Sequence, residues 1–235
     1  MDVHAAQWIG KRERMEDAYA VSHFPEGTLA VVCDGMGGHC HGDEAARVAA
    51  NAFCTAFAQL PGLPVQRRLR VALDEANEAV GALYLQTGTF GGTTLLAAFA
   101  SHGLLHHVSV GDCALFVWRG GTLRRLNEDH SMRALYKGYG PACAIPDSHC
   151  LRSALTGEPP QLVDAPQGFP LLPHDRIIMS SDGAEALLFD SPLPTGLATI
   201  LSDRAVPLAP AIVQACERLQ DEYADNVTVL TLDVD

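Results

Sequence analysis

Apolar side chains recur along this chain in two rhythms. Alternating or continuous apolar runs predict strands over 3–9, 18–23, 28–33, 93–100, 104–110, 114–118, 122–126, 175–181 and 226–234, because successive strand side chains face opposite ways and a strand covered on both faces reads as one apolar run. Short turns such as Gly120-Gly121 join several of them, which favours antiparallel hairpins. Elsewhere the period lengthens to that of a helix. Over 43–60, Glu44, Arg47, Asn51, Thr55 and Gln59 fall at steps of three or four opposite an Ala/Phe/Val face. Over 65–85, Val65, Leu69, Ala72, Leu73, Ala76, Val80 and Leu83 share one side, and "LPGLP" at 60–64 separates the two helices with a turn. The pair should pack as a hairpin against a sheet. A third helix opens at Pro207 and is expected to turn Ile212, Val213, Cys216, Leu219 and Tyr223 inward. The stretch 138–170 carries Pro and Gly without a period and reads as a surface flap. Neither a low-complexity linker nor an internal repeat divides the chain, so a single domain over 1–235 is expected.

Composition supplies the core that these elements need, with 48% hydrophobic residues over 235 positions. Charge narrows the partner. Sixteen basic against 28 acidic residues give −12, and no Lys/Arg cluster beyond "RRLR" at 67–70 tracks phosphates, so a general nucleic-acid binder is excluded and a cationic or metal partner fits better. No apolar segment of signal-peptide type follows Met1 and no run approaches the roughly 18 residues of a membrane span. The expected location is therefore cytoplasmic. Seven cysteines lack a CxxC pair and mostly interrupt apolar runs, which reads as free thiols in a reducing compartment. Cys40, between His39 and His41, is the one candidate for metal or redox chemistry, although "HCH" has poor geometry for a closed zinc site.

The informative residues are acids at strand ends. "VVCDGMGGH" at 31–39 closes an apolar strand on Asp34 and then removes almost every side chain. "IIMSSDG" at 177–183 repeats this with Asp182, "YADNVTVL" at 223–230 sets Asp225 before the last strand, "VSVGDCALFVW" at 108–118 sets Asp112 between two strands, and "RERMEDAY" at 12–19 sets Glu16 and Asp17 before another. One Asp-Gly is usually a turn. Five such sites ask for a common cause, because carboxylates gathered in a cleft repel one another unless divalent cations neutralise them. An all-oxygen set selects Mg²⁺ or Mn²⁺ over zinc, and Gly35 and Gly38 let a backbone carbonyl, solvent or substrate approach.

In order, "RxxxED" at 12–17, "DGMGGH" at 34–39, "GGTTL" at 91–95, "VGD" at 110–112, "EDHS" at 128–131, "LTG" at 155–157, "SDG" at 181–183 and "DNVTVL" at 225–230 resemble the metal-dependent PPM family of protein serine/threonine phosphatases, also called protein phosphatase 2C. The likeness runs from about Gln7 to Val234 and is to the compact bacterial members. It implies an α+β fold, a four-layer α/β/β/α sandwich of two stacked antiparallel sheets flanked by helix pairs, with the metal site at one edge. It implies that Asp34 bridges two Mn²⁺ or Mg²⁺ ions, that the Gly35 carbonyl and Glu16 (through water) hold one, and that Asp182 and Asp225 hold the other, with Asp17 behind them. Arg12 matches the arginine that binds the substrate phosphate; read without the resemblance, it is an exposed base beside Lys11 and Arg14. The expected reaction is in-line attack of a metal-activated water on phosphoserine or phosphothreonine of proteins, among them a Ser/Thr kinase or its substrates, by a monomer that binds neither nucleic acid nor membrane. His39 is the candidate proton donor to the leaving oxygen, while Met36 stands where eukaryotic members place a His.

Many bacterial members hold a third, weaker ion between the Asp of the "VGD" turn, here Asp112, and an Asp four residues after the "SDG" aspartate. That second position is Ala186, and Glu185 sits one residue early, so a third ion is expected to be weak or absent. Two other readings stay open on sequence alone. One is a catalytically weak or inactive relative that binds phosphoproteins in a regulatory role. The other is a dinuclear hydrolase of small phosphoesters, which would usually recruit several His ligands. Cys33 lacks the CxxxxxR loop of a cysteine phosphatase and reads as core.

Overall fold

The computed structural model describes residues 1–36, 41–136, 150–188 and 196–235. Strand β1 (Asp2–Trp8), β2 (Asp17–Phe24) and β3 (Gly27–Asp34) precede helices α1 (Gly42–Ala58) and α2 (Val65–Thr87). Four strands follow, β4 (Leu95–Ser101), β5 (Leu104–Val110), β6 (Ala114–Arg119) and β7 (Thr122–Arg125), then the short α3 (Met132–Tyr136), β8 (Phe169–Pro170) and β9 (Arg176–Ser180). The chain continues through α4 (Glu185–Leu188), α5 (Leu197–Ser202), α6 (Leu208–Arg218) and β10 (Val227–Asp233). The strands form two five-stranded antiparallel sheets ordered β1-β10-β9-β6-β7 and β2-β3-β4-β5-β8.

Strand alternation builds the layers. On β3, Leu29, Val31 and Cys33 face one cluster while Ala30 and Val32 face another; on β4, Leu95, Ala97 and Phe99 oppose Leu96, Ala98 and Ala100 in the same way. The first set packs against α1 and α2, whose contact faces are rich in alanine (Ala45, Ala46, Ala49, Ala72, Ala76) and so let helix and sheet approach closely. The second set meets Leu115, Val117, Ile177, Met179, Leu230 and Leu232 of the other sheet, which makes the central layer. The outward faces of β6, β9 and β10 carry Phe116, Ile178 and Val229 against α4, α5 and α6. This is the expected four-layer α+β sandwich, with each internal strand buried on both sides.

Three details correct the reading from sequence. Helix α6 stops at Arg218, and Leu219 (46% exposed) and Tyr223 (84%) face outward, because Gln220 adopts a left-handed φ of 51° and turns the chain. The "RRLR" cluster is not all surface: Arg68 is buried, pairs with Glu26 at 2.9 Å, donates to the Phe57 carbonyl and stacks 3.9 Å from the Phe57 ring centre. Nor is 138–170 a flap throughout. Residues 137–149 lie outside the described residues, but Leu155 is fully buried, exchanges backbone hydrogen bonds with Thr93, and leads into a loop clamped on α2. There the Asn77 side chain accepts from Thr156 N (3.1 Å) and Gly157 N (3.0 Å) and donates to the Glu158 carbonyl (3.0 Å). Gly157, at φ +93°, lies so close to Gly81 that a Cβ would come within 2.5 Å of the Gly81 Cα. Backbone without a period thus packs into the fold, bridging to Thr93 through Leu155 and to Ser109 of β5 through Asp164.

Candidate active site

Antiparallel registry gathers the acids. Asp34 ends β3 and Asp17 begins β2 as its direct cross-strand partner. Asp182 follows β9, Asp225 precedes β10, and β10 pairs with β9, so the other sheet delivers two more acids to the same edge. Asp112 lies in the turn from β5 to β6, after Gly111 at φ 106°. Asp34, Asp112, Asp182 and Asp225 all line one cleft of about 970 Å³, together with Arg12 and Glu16.

The backbone beneath Asp34 is tied down. Thr94 Oγ1 accepts from Asp34 N (2.8 Å), Thr94 N donates to the Asp34 carbonyl (2.8 Å) and Thr93 Oγ1 donates to it as well (2.9 Å). Gly35 N donates to the Glu16 carbonyl at 3.1 Å, and a Cβ on Gly35 would lie 2.3 Å from the Gly42 carbonyl oxygen and 2.8 Å from that of Glu16. Only glycine fits there, which holds the Gly35 backbone between the strand edge and the start of α1.

The electrostatics are those of carboxylates short of cations. Burial, then the charges of Asp17, Asp182, Asp112 and Asp225, push the Asp34 pKa well above the ordinary carboxylate range. Burial foremost, with Asp182 and Asp225 adding to it, lifts Asp17 to about 7 against the bonds it receives from Ser181 and Thr228. Burial and the neighbouring Asp182 and Asp129 charges lift Asp112 to about 8. Burial also raises Glu16, which Arg12 opposes. In each case burial disfavours the charged form more than the nearby cations and hydrogen bonds favour it.

Arg12 is the exception. Its Nη2 donates to Asp225 Oδ2 at 2.6 Å, so the guanidinium stands at the cleft with half its surface open to an incoming anion. Asn226 fixes the segment that carries it: its Oδ1 accepts from Glu16 N (2.7 Å), and its Nδ2 donates to the carbonyls of Ile9 (2.8 Å) and Arg14 (3.0 Å). Ser181 Oγ donates to Asp17 Oδ2 (2.7 Å) and accepts from Thr228 N (2.9 Å), which binds β2 to β10. Sequence reasoning quoted the motifs that hold Asn226, Ser181, Thr93 and Thr94 but gave those residues no task.

Of the expected site residues, Arg12, Glu16, Asp34, Gly35, Asp112, Asp182 and Asp225 come together, and Asp17 lies directly behind them. His39 and Cys40 lie outside the described residues. Cys33 is buried in the layer between sheet and helices and is held in its thiol form chiefly by burial. Among the described residues no three His, Cys, Asp or Glu side chains converge tightly enough to enclose one ion; the carboxylates ring the cleft, with Arg12 on Asp225 as a cation would be. As a donor set they are all oxygen, borne by rigid strand ends and in excess of positive charge, which fits hard divalent cations. No helix among the described residues is long and apolar enough to cross a membrane.

Comparison with known proteins agrees with this geometry. The sequence model of a family described as Protein phosphatase 2C matches residues 6–231. The serine/threonine phosphatase stp of Listeria monocytogenes is 27% identical over 219 residues, covering 88% of this chain and 84% of that protein. The stp of Listeria welshimeri is 32% identical over 111 residues, and the chain spans 44% of its length. Among solved structures, the catalytic domain of the serine/threonine protein phosphatase PstP in complex with two manganese ions superposes with a TM-score of 0.78 at 26% identity, covering 100% of this chain and 98% of that one.

Proposed function

The chain belongs to the protein phosphatase 2C family of serine/threonine phosphatases, and from that premise we propose that it hydrolyses phosphoserine and phosphothreonine on proteins at the carboxylate cleft, using two divalent ions. What carries the reading is Asp34, fixed at a strand end with Asp17, Asp112, Asp182 and Asp225 around it and an arginine on the rim.

Asp34 would bridge the ions, with Glu16 and the Gly35 carbonyl on one side and Asp182 and Asp225 on the other. Such ions, when bound, acidify water and offset charge on a phosphoryl group. Asp17 contributes by position, since it is the cross-strand partner of Asp34 and its carboxylate is held by Ser181 Oγ. Arg12 would orient the substrate: its planar guanidinium, half exposed at the cleft, matches two phosphate oxygens. His39 is assigned the proton donated to the departing seryl or threonyl oxygen. With water acidified in this way, no protein nucleophile is required.

The finer statements belong to the same reading. The ions are Mn²⁺ or Mg²⁺, the substrates are products of a Ser/Thr kinase or the kinase itself, and the chain acts as a single catalytic domain, a cytoplasmic monomer in signalling. The test is phosphate release from a phosphothreonine peptide with Mn²⁺, with and without chelator. Turnover that survives complete chelation would overturn it.

A further inference from the structure

The corner of the cleft around Asp112 is where the sequence leads to the expectation of a weak or absent third ion. Three observations meet there. Ala186, which lines the cleft, offers no oxygen. Glu185, the neighbouring acid, accepts a hydrogen bond from Arg133 Nη1 and is thereby occupied. Arg133 itself, carried on α3, directs its other amine toward Asp129 at 3.7 Å and lines the same cleft as Asp112. Asp129 is anchored in turn by Arg125 (3.2 Å) and by the Ser131 N–H (2.9 Å), so Arg133 joins α3 to α4 through a fixed set of acids.

We propose that Arg133 is the resident cation of this corner: its guanidinium, held by Glu185 and beside Asp129, lines the cleft with Asp112, so the residues there do not fit a third metal ion and the site is complete with two. Glu185 and Asp129 are engaged by Arg133 and Arg125, and Asp182 is assigned to the two-ion site, so a third divalent ion would be left with Asp112, whose backbone carbonyl already accepts from Arg125 (3.0 Å). It would also lie beside a guanidinium that cannot give up its charge. Burial works against the charge of Arg133, but Glu185, Asp129 and Asp112 together hold it protonated. Mg²⁺ and Mn²⁺ surrender their water reluctantly and gain little from a single protein oxygen. A consequence follows for engineering: Ala186→Asp alone gives Arg133 another partner rather than giving the protein another ion.

The experiment is a Mn²⁺ titration of metal-stripped protein by calorimetry, with anomalous scattering from Mn²⁺-soaked crystals to locate the ions, on the wild type, Ala186→Asp, Arg133→Gln and the Arg133→Gln/Ala186→Asp double variant. Two ions are expected in the wild type and both single variants. In the double variant a third is expected, held by Asp112 and the introduced carboxylate, with affinity about ten-fold or more above any third binding to Ala186→Asp alone. Thermal unfolding is recorded first, and Arg133→Met, which keeps the packing of the stem, replaces Gln if that variant does not fold. A third ion on Asp112 in the wild type overturns the proposal. So does a third ion bound as tightly by Ala186→Asp as by the double variant, or a double variant that still binds two. The inference rests on the two-ion reading of the cleft, and a wild type that binds no ion fails that reading, whereas three ions fail only this one.

Discussion

Replacing Asp17 by Asn isolates the strain stored in the cleft, because the amide oxygen still accepts from Ser181 Oγ while the negative charge is gone. Asp17 rises from 3.8 to about 7 in the fold, with burial as the main cause and Asp182 and Asp225 adding to it. The folded state therefore favours the protonated acid. The penalty on folding is absent below about pH 4, grows across the window from about 4 to about 7, and is full above it. About three pKa units correspond to about 4 kcal/mol at about 1.4 kcal/mol per unit. At roughly 2–4 °C per kcal/mol for a chain of this size, the metal-free variant should melt roughly 8–16 °C above the wild type at pH 8. The gain should nearly vanish at pH 4 and shrink at pH 8 when Mn²⁺ is added, since ions offset the same charge. Thermal unfolding by circular dichroism in chelator, across pH 4–8, measures it. A variant less stable than the wild type at pH 8, or a gain independent of pH, would refute the argument that burial and the neighbouring acids disfavour an ionised Asp17 at this edge.

Asp34→Asn should abolish phosphopeptide turnover at saturating Mn²⁺ while the metal-free protein stays folded; near-normal hydrolysis would end the bridging role. Arg12→Ala should lower kcat/KM about ten-fold or more, from roughly 1.5–3 kcal/mol for a charge-assisted hydrogen bond, and kinetics equal to the wild type would return Arg12 to an ordinary surface base. Gly35→Ala should cost about 1–3 kcal/mol or more of stability by overpacking against backbone that cannot yield, and should weaken Mn²⁺ binding in a calorimetric titration; a neutral substitution would show that the strand edge can open. Arg68→Ala should cost about 2–5 kcal/mol by leaving a hole beside Phe57 and the Phe57 carbonyl without its side-chain donor, read from urea unfolding, with no effect on KM.

Most of the layers were legible because two-sided burial leaves a mark on every strand: Leu29 to Cys33 and Leu95 to Phe99 read as apolar runs whichever face is inspected. The acids were legible for a related reason, since a carboxylate at the end of such a run has no packing explanation. What escaped lacks a period. The loop around Leu155 is held by the Asn77 side chain and by backbone pairing with Thr93, neither of which alters composition, and its Pro and Gly content resembles that of solvent-facing loops. Helix α6 was extended too far because the arithmetic of 3.6 continues through Leu219 and Tyr223, while the stop falls on Gln220, a residue that does not announce a left-handed turn. Arg68 was counted with its exposed neighbours because the aromatic ring that shelters it, Phe57, is eleven residues away on another helix.

Because β10 lies between β1 and β9 and pairs Asp2 with Asp233, the cleft draws its acids from opposite ends of the chain. Glu16 and Asp34 are synthesised well before Asp225. A ribosome-bound chain lacking β10 has neither that acid nor the strand that joins the two halves of its sheet. Such non-local closure is also the slowest part of folding to arrive. A chain cut before Asp225 and β10 therefore lacks both an acid of the cleft and the strand between β1 and β9, and is expected to release no phosphate.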